Sequence, residues 1–127
     1  MRTDTPRPRV LLARLSPVAS VGMRCMLTEY GVDVVGQEDR PLAIEAIARE
    51  LAPDAVVLAL EPAAHALCSR IQIAAPATKV ILWSADEKGM QVMDPGGSAI
   101  REIPDGGSSD LRRELIASQS RNIQIEE

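Results

Sequence analysis

Short apolar runs of strand length alternate along this chain with stretches in which apolar residues recur at helical spacing. The third run, Ala55 to Leu60, is apolar throughout, as is typical of a strand that is buried on both faces. Such alternation predicts a parallel sheet with helices on both of its faces. The chain has 127 residues, a length that suits one domain with a sizeable core.

The periodicity predicts five strands and five helices in a doubly wound, flavodoxin-like (βα)5 sheet of order 2-1-3-4-5. A short and weakly patterned stretch, Glu87 to Met93, stands where the fourth helix is expected. The last helix is expected to begin at Ser108 or Ser109 and to turn three apolar side chains inward, Leu111, Leu115 and Ile116. Residues 1–118 are expected to form the domain, with a polar, disordered tail over 119–127. The strands are expected at Val10–Ala13, Val32–Gly36, Ala55–Leu60, Lys79–Trp83 and Ser98–Ile103.

Composition excludes several classes of function. The formal charge of −4 gives no long-range attraction to nucleic acid or to anionic lipid. Phe is absent, and Tyr30 and Trp83 are the only large aromatic residues, so a base-stacking platform is not expected. Cys25 and Cys68 have no metal-ligand spacing and are expected to be inert thiols in helices. No signal peptide and no apolar run of about 20 residues is found, which predicts a cytoplasmic protein.

In a doubly wound fold the functional crevice lies at the carboxyl ends of the strands, beside the topological switch point. Here that edge of the sheet would gather Arg14, Leu15, Ala59, Ser84 and the segment around Pro104. The sequence therefore predicts that one site is formed by these residues.

Several passages, taken in order, resemble the receiver domains of bacterial two-component response regulators, in particular the subgroup with a LuxR-type output domain. The resemblance runs from Arg9 to about Ser118 and implies a role in signal transduction and in regulation of transcription. The passages are Arg9-Val10-Leu11-Leu12-Ala13 followed by Ser16-Pro17, then Val34-Val35-Gly36, Ala48-Arg49-Glu50-Leu51-Ala52-Pro53-Asp54, Ala74-Ala75-Pro76-Ala77-Thr78-Lys79-Val80 and Pro104-Asp105.

The chemical residues of that family are missing at the matching positions. Receiver domains use an aspartate nucleophile after the third strand and an acidic pair after the first, which together hold Mg²⁺. Ala59 stands at the nucleophile position and Arg14-Leu15 at the acidic pair, whereas a hydroxyl is kept as Ser84. The lysine of the family falls at Pro104 or Ile103, and its switch aromatic at Ile100 or Arg101. The resemblance thus implies no phosphorylation, no Mg²⁺, no other metal and no enzymatic activity.

Two roles are open for Arg14. It can pair with a carboxylate, for which Asp39, Glu61 and Asp86 are the candidates, and so hold the altered pocket closed. Alternatively, its guanidinium can bind an anionic ligand at the strand ends. The only histidine, His65, has no Ser, Cys or second His at motif spacing and is expected in a surface or packing role.

The first helix carries a second apolar stripe, Val18, Val21 and Cys25, on the side away from its expected core face. This stripe is either scattered surface apolarity or an interface through which the first and final helices form a homodimer without phosphate. Ile100 and Arg101 are further candidate interface residues. The main functional prediction is a phosphorylation-independent receiver-like domain that binds itself or another protein, with no direct contact to nucleic acid or membrane. The alternative is a sensor that binds a small anionic metabolite at Arg14 and Ser84 and shifts the surface near Ile100.

Overall fold

The computed structural model of the protein describes residues 7–84, 89–96, 99–103 and 110–116. These residues form a six-stranded mixed sheet of order β2-β1-β3-β4-β5-β6 with helices on both faces. The expected tail over 119–127 lies outside the described residues. The elements, in chain order, are β1 (Arg9–Ala13), α1 (Pro17–Glu29), β2 (Asp33–Glu38), α2 (Pro41–Leu51), β3 (Ala55–Ala59), α3 (Ala64–Ala74), β4 (Lys79–Trp83), β5 (Met90–Met93), β6 (Ile100–Ile103) and a last helix, α4, described over 110–116.

The first four strands confirm the predicted order. β1 pairs in parallel with β2 and β3, and β3 pairs in parallel with β4. Val56, Val57 and Leu58 in β3 are fully buried, in agreement with the central position that its apolar run predicts. Successive side chains of this strand enter two different core clusters, one on each face of the sheet.

The two faces are covered by different helices. Met23 and Leu27 of α1 share one core cluster with Leu111 and Leu115 of α4. The other cluster contains residues of α2 and α3, including Ile44 and several others. This alternation of helices between the faces confirms an α/β architecture. The members from α2 and α3 are Ile44, Ala48, Ala64, Leu67, Cys68 and Ile71.

The expected fourth helix between Glu87 and Met93 is wrong, because Met90–Met93 forms β5, antiparallel to β4. Met90 and Val92 enter the core cluster on the α1 side, whereas Met93 enters the cluster on the α3 side. The alternation of a strand thus buries apolar side chains on both faces of the sheet. A helix over these four residues would make only about one turn. The (βα)5 topology is therefore not what this part of the chain adopts.

The predicted strand near Ser98–Ile103 is present as β6, which pairs with β5 in antiparallel orientation. Two successive antiparallel pairings give β6 the same direction as β4. In α4, Leu111 and Leu115 are fully buried as predicted, but Ile116 is 42% exposed, so its expected inward position is wrong. The described part of α4 is a two-turn helix, in which Leu111 and Leu115 share one side and Ile116 lies outside it.

Local signals explain where α1 begins and ends. The Oγ of Ser16 accepts a hydrogen bond from the backbone N–H of Ala19 at 3.2 Å, and Pro17 is the first helical residue. Gly31 has a φ of 80°, a left-handed conformation that glycine adopts without steric cost, and the chain turns there into β2. None of the helices in the described ranges combines the length and apolar character that a bilayer-spanning helix needs.

Charged residues meet at the edge of the sheet where β4 begins. The side chain of Lys79 is only 2% exposed, and its Nζ donates to the Oε1 of Glu114 at 2.9 Å. Arg101 of β6 contacts both Glu114 and Asp94, and the Lys79 Nζ lies 3.8 Å from an Asp94 carboxylate oxygen. We call these four residues the basal network: Lys79, Asp94, Arg101 and Glu114. It joins β4, β6, the segment after β5 and α4.

Candidate functional site

A cavity of about 240 Å³ lies at the carboxyl ends of β1, β3 and β4. The two strands that meet there, β1 and β3, send their following helices to opposite faces of the sheet. This is the topological switch point, where doubly wound folds bind ligands. The described residues that line the cavity are Leu15, Ser16, Ala19, Ala59, Leu60, Trp83 and Ser84.

Ala59 is the last residue of β3 and lies opposite Trp83, the last residue of β4. Both are partly buried and pack against the core cluster that contains α1. The strands continue together for one further residue, since the Leu60 N–H donates to the Trp83 carbonyl at 2.9 Å. The methyl group of Ala59 thus occupies the end of the central strand, where it can neither accept a phosphoryl group nor bind a metal.

Arg14 follows β1 with a φ of 57°, in the left-handed region. Its backbone N–H donates to the Glu38 carbonyl at 2.9 Å and so extends the pairing of β1 with β2. A non-glycine residue in this conformation costs roughly 1–2 kcal/mol, and the surrounding contacts have to offset that cost. The side chain of Arg14 supplies such contacts.

The guanidinium of Arg14 is held by two partners. Its Nε donates to the carboxylate of Glu61, and its Nη1 donates to the backbone carbonyl of Asp39 at 2.8 Å. Of the three candidate partners, Glu61 therefore forms the ion pair, Asp39 contributes its main chain, and Asp86 lies outside the described residues. Both side chains of the pair are about a third exposed, at 32% and 31%, so water screens their attraction.

The described lining of the cavity is uncharged. Leu15, at one of the positions where the resemblance implies an acid, is 7% exposed and joins the core. Ser16 caps α1 with its hydroxyl, and Ser84 supplies a second hydroxyl to the lining. Among the residues that the structure describes, no three His, Cys, Asp or Glu side chains are grouped so that they could hold a metal ion. Arg14 is not among the lining residues.

The other candidate residues lie elsewhere. Val18, Val21 and Cys25 are exposed on the outer side of α1. Ile100 is 38% exposed on β6, whereas the guanidinium of Arg101 contacts Asp94 and Glu114 in the basal network. Pro104 lies outside the described residues. The structure thus separates the predicted interface residues into a group on α1 and a pair at the edge strand.

The remaining reactive side chains have structural surroundings. The Nε2 of His65 lies 2.7 Å from the Oε1 of Gln91, a contact between α3 and β5. Cys68 is buried in the core, and burial raises the pKa of its thiol to about 11. Cys25 is exposed. Cys25 is therefore the more accessible of the two thiols.

Sequence reasoning missed the basal network. The signal was a lysine at the start of an otherwise apolar strand, because Lys79 immediately precedes Val80-Ile81-Leu82. A cation that is almost fully buried requires acidic partners. Those partners, Asp94 and Glu114, lie 15 and 35 residues away in the chain.

No protein-family model matches the chain, and no curated protein matches it in sequence.

Proposed function

We propose that this chain is a receiver-like signalling domain that works without phosphorylation, by binding a protein partner. The observation on which the proposal depends is the contact of Arg14, which follows β1, with Glu61, which lies two residues after the end of β3 at Ala59. It lies where the resemblance implies an aspartate nucleophile and an acidic metal site. We further propose that the domain is cytoplasmic, is not an enzyme and affects transcription only through its partner.

The charge arrangement supports this proposal. A receiver-type reaction gathers carboxylates around Mg²⁺, and the metal offsets the charge of the incoming phosphoryl group. Arg14 places a permanent cation at that end of the sheet and engages the carboxylate of Glu61. A divalent cation would have to compete with this guanidinium for the same carboxylate.

The fold supports the proposal in its first four strands and departs from the resemblance after them. The order β2-β1-β3-β4 is the one that the resemblance implies. The β5–β6 hairpin then takes the place of a helix and a parallel strand. This hairpin carries Ile100 and Arg101 where the resemblance implies the switch aromatic, which fits a domain that does not respond to phosphate.

The test is treatment with acetyl phosphate and Mg²⁺, followed by intact-mass spectrometry of the wild-type chain and the Ala59→Asp variant. We expect no phosphorylated carboxylate in either protein, because an aspartate at 59 alone leaves Arg14 and Leu15 in place. A receiver domain with its acidic site intact serves as the positive control. A measured mass equal to that of the unmodified chain supports the proposal. A phosphorylated Asp or Glu in the wild-type chain contradicts it.

A small-ligand sensor is the second candidate, and the cavity at the strand ends favours it. An anion would have to draw Arg14 away from Glu61, because the described lining itself is uncharged. Trp83, the only tryptophan of the chain, lines the cavity and reports on its occupancy by fluorescence. A saturable change in that fluorescence with phosphate or a carboxylate metabolite would favour the sensor over the protein-binding domain.

A further inference from the structure

The outer side of α1 is an exposed apolar surface. Val18 is 85% exposed and Val21 is 65% exposed, although both are β-branched hydrophobic residues in a helix whose core side holds Met23 and Leu27. Gly22 and the exposed Cys25 continue the same side, at helical spacings of four and seven residues from Val18. We call this surface the α1 face: Val18, Val21, Gly22 and Cys25.

Among the residues that the structure describes, Gly22 has no neighbour that requires a glycine, because a Cβ atom built there would meet none of their atoms within 4 Å. Glycine in the interior of a helix is less favourable than alanine, so this position loses stability without a visible gain in the described structure. A glycine in the middle of an apolar helix face allows another backbone to approach closely. Gly22 therefore suits the crossing point of a second helix.

The charges at the two ends of α1 indicate that the second helix is an antiparallel copy of α1. Glu29 is the last residue of α1, and its last turn contains no basic residue, so the carboxylate stands at the negative end of its own helix dipole. The first turn of α1 contains no acidic residue to meet its positive end. An antiparallel copy of α1 corrects both defects at once. With the crossing between Val21 and Gly22, each Glu29 reaches the start of the other helix, at the level of Arg14.

We propose that the α1 face binds a second copy of this chain as an antiparallel helix pair that crosses at Gly22. The proposal rests on the proposed function and names its partner. Around the two-fold axis, Val21 of one copy lies against Gly22 of the other, and Val18 lies against Cys25. The four apolar residues of each copy become buried, and the two Glu29 carboxylates face the two positive helix ends.

Cross-linking tests the direction and the register of the pair. In the antiparallel pair the two Cys25 positions are seven residues apart along the axis, about 10 Å, so a bismaleimide with a spacer of that length joins them. A Val21→Cys/Cys25→Ser variant places two thiols beside the axis, where a disulfide forms directly. The matched control is Thr28→Cys/Cys25→Ser, whose thiols are thirteen residues apart, about 20 Å. Equal disulfide formation in both variants would indicate a parallel pair and would overturn the proposal.

Oligomeric state tests the surface itself. We expect light scattering after gel filtration to give a dimer for the wild-type chain, and Val21→Glu to raise its dissociation constant at least tenfold. Leu42→Glu is the matched control, since Leu42 of α2 is 71% exposed and lies outside the α1 face. Glu29→Lys is expected to raise the dissociation constant by about threefold to tenfold, because it removes both favourable charge contacts.

The outcomes separate this inference from the proposed function. A wild-type chain that stays monomeric at millimolar concentration overturns the α1 pair but leaves a phosphorylation-independent domain that binds another protein. A dimer that is sensitive to Val21→Glu but forms only after acetyl phosphate and Mg²⁺ supports the surface and contradicts the proposed function. A dimer that is weakened by Leu42→Glu and unaffected by Val21→Glu overturns the α1 face as the interface.

Discussion

Arg101 donates two hydrogen bonds to Glu114, from Nη2 to Oε1 at 2.8 Å and from Nη1 to Oε2 at 3.3 Å. The Nζ of the buried Lys79 donates to the same carboxylate and also to the Glu114 backbone carbonyl at 3.0 Å. One side chain of α4 is thus bound by the first residue of β4 and by an edge strand. Together with Asp94, the basal network balances two positive and two negative charges.

Glu114→Gln should lower the free energy of unfolding by about 2–4 kcal/mol. The substitution keeps the shape of the side chain but removes its negative charge. Asp94 is then the remaining acid of the network, and the nearly buried Lys79 ammonium loses its closer carboxylate partner. Chemical denaturation of the variant and the wild-type chain measures the difference. Arg113→Gln is the control, because the pair of Arg113 with Asp110 is solvent-exposed and should change stability by less than about 1 kcal/mol.

Stability should fall in acid because of the same carboxylate. Burial acts to raise the pKa of Glu114, but the hydrogen bonds from Arg101 and Lys79 outweigh it and hold that pKa below its ordinary value. The folded chain therefore binds this proton less readily than the unfolded chain. The contribution is complete above the ordinary pKa of a glutamate and is lost as pH falls through the lowered value. Unfolding curves from pH 7 downward should show the decline, and Glu114→Gln should flatten its Glu114-dependent part.

The contact of Arg14 with Glu61 should contribute little to stability. In a double-mutant cycle of Arg14→Gln and Glu61→Gln, we expect a coupling of about 0.5–1 kcal/mol, because both side chains are about a third exposed. The coupling should decrease in 1 M NaCl, where screening is strong. A coupling above about 3 kcal/mol would indicate a buried pair and contradict this description of the site.

Met90→Ala should destabilise the chain by about 2–4 kcal/mol, because Met90 is 2% exposed and packs in the core cluster beneath α1. Ile100→Ala is the matched control in the same hairpin and should cost less than about 1.5 kcal/mol, since Ile100 is 38% exposed. If Met90 instead lay on a solvent-exposed helix, the two variants would have equal and small effects. The comparison thus tests the strand that the sequence pattern did not predict.

The fold could be predicted from the sequence where the apolar residues of a segment follow a clear helical or strand period. The apolar run of β3 and the apolar stripe of α2, including Ile44 and Ala48, agree with the observed elements. β5 was not predicted, because the segment Met90-Gln91-Val92-Met93 is too short to distinguish a strand period of two from one helical turn. Its identity as a strand depends on pairing with β4 and β6, through Leu82 and Arg101, which the pattern of these four residues does not contain.

The candidate site follows the same division. Topology alone predicts that Leu15, Ala59 and Ser84 meet at one edge of the sheet, and all three line the cavity. The partner of Arg14 could not be selected from the sequence, because several carboxylates follow neighbouring strands. The left-handed backbone of Arg14 and its contact with the Asp39 carbonyl are set by the loop conformation rather than by residue type.

Because β5 is antiparallel and lies between β4 and β6, it also sets the distance between the carboxyl ends of these two strands, at the edge of the sheet that holds the cavity. Trp83 pairs with Met90, and Met90 pairs with Ile103, so the carboxyl end of β6 lies two strand spacings from that of β4, about 9.5 Å. If a strand with this direction lay directly beside β4, its carboxyl end would be one strand spacing from that of β4. A long side chain at that position could then reach a group at the end of β3. Because β5 lies between β4 and β6, the carboxyl end of β6 is beyond that reach. A polar residue introduced at the end of β3 would therefore be separated from the end of β6 by both β4 and β5.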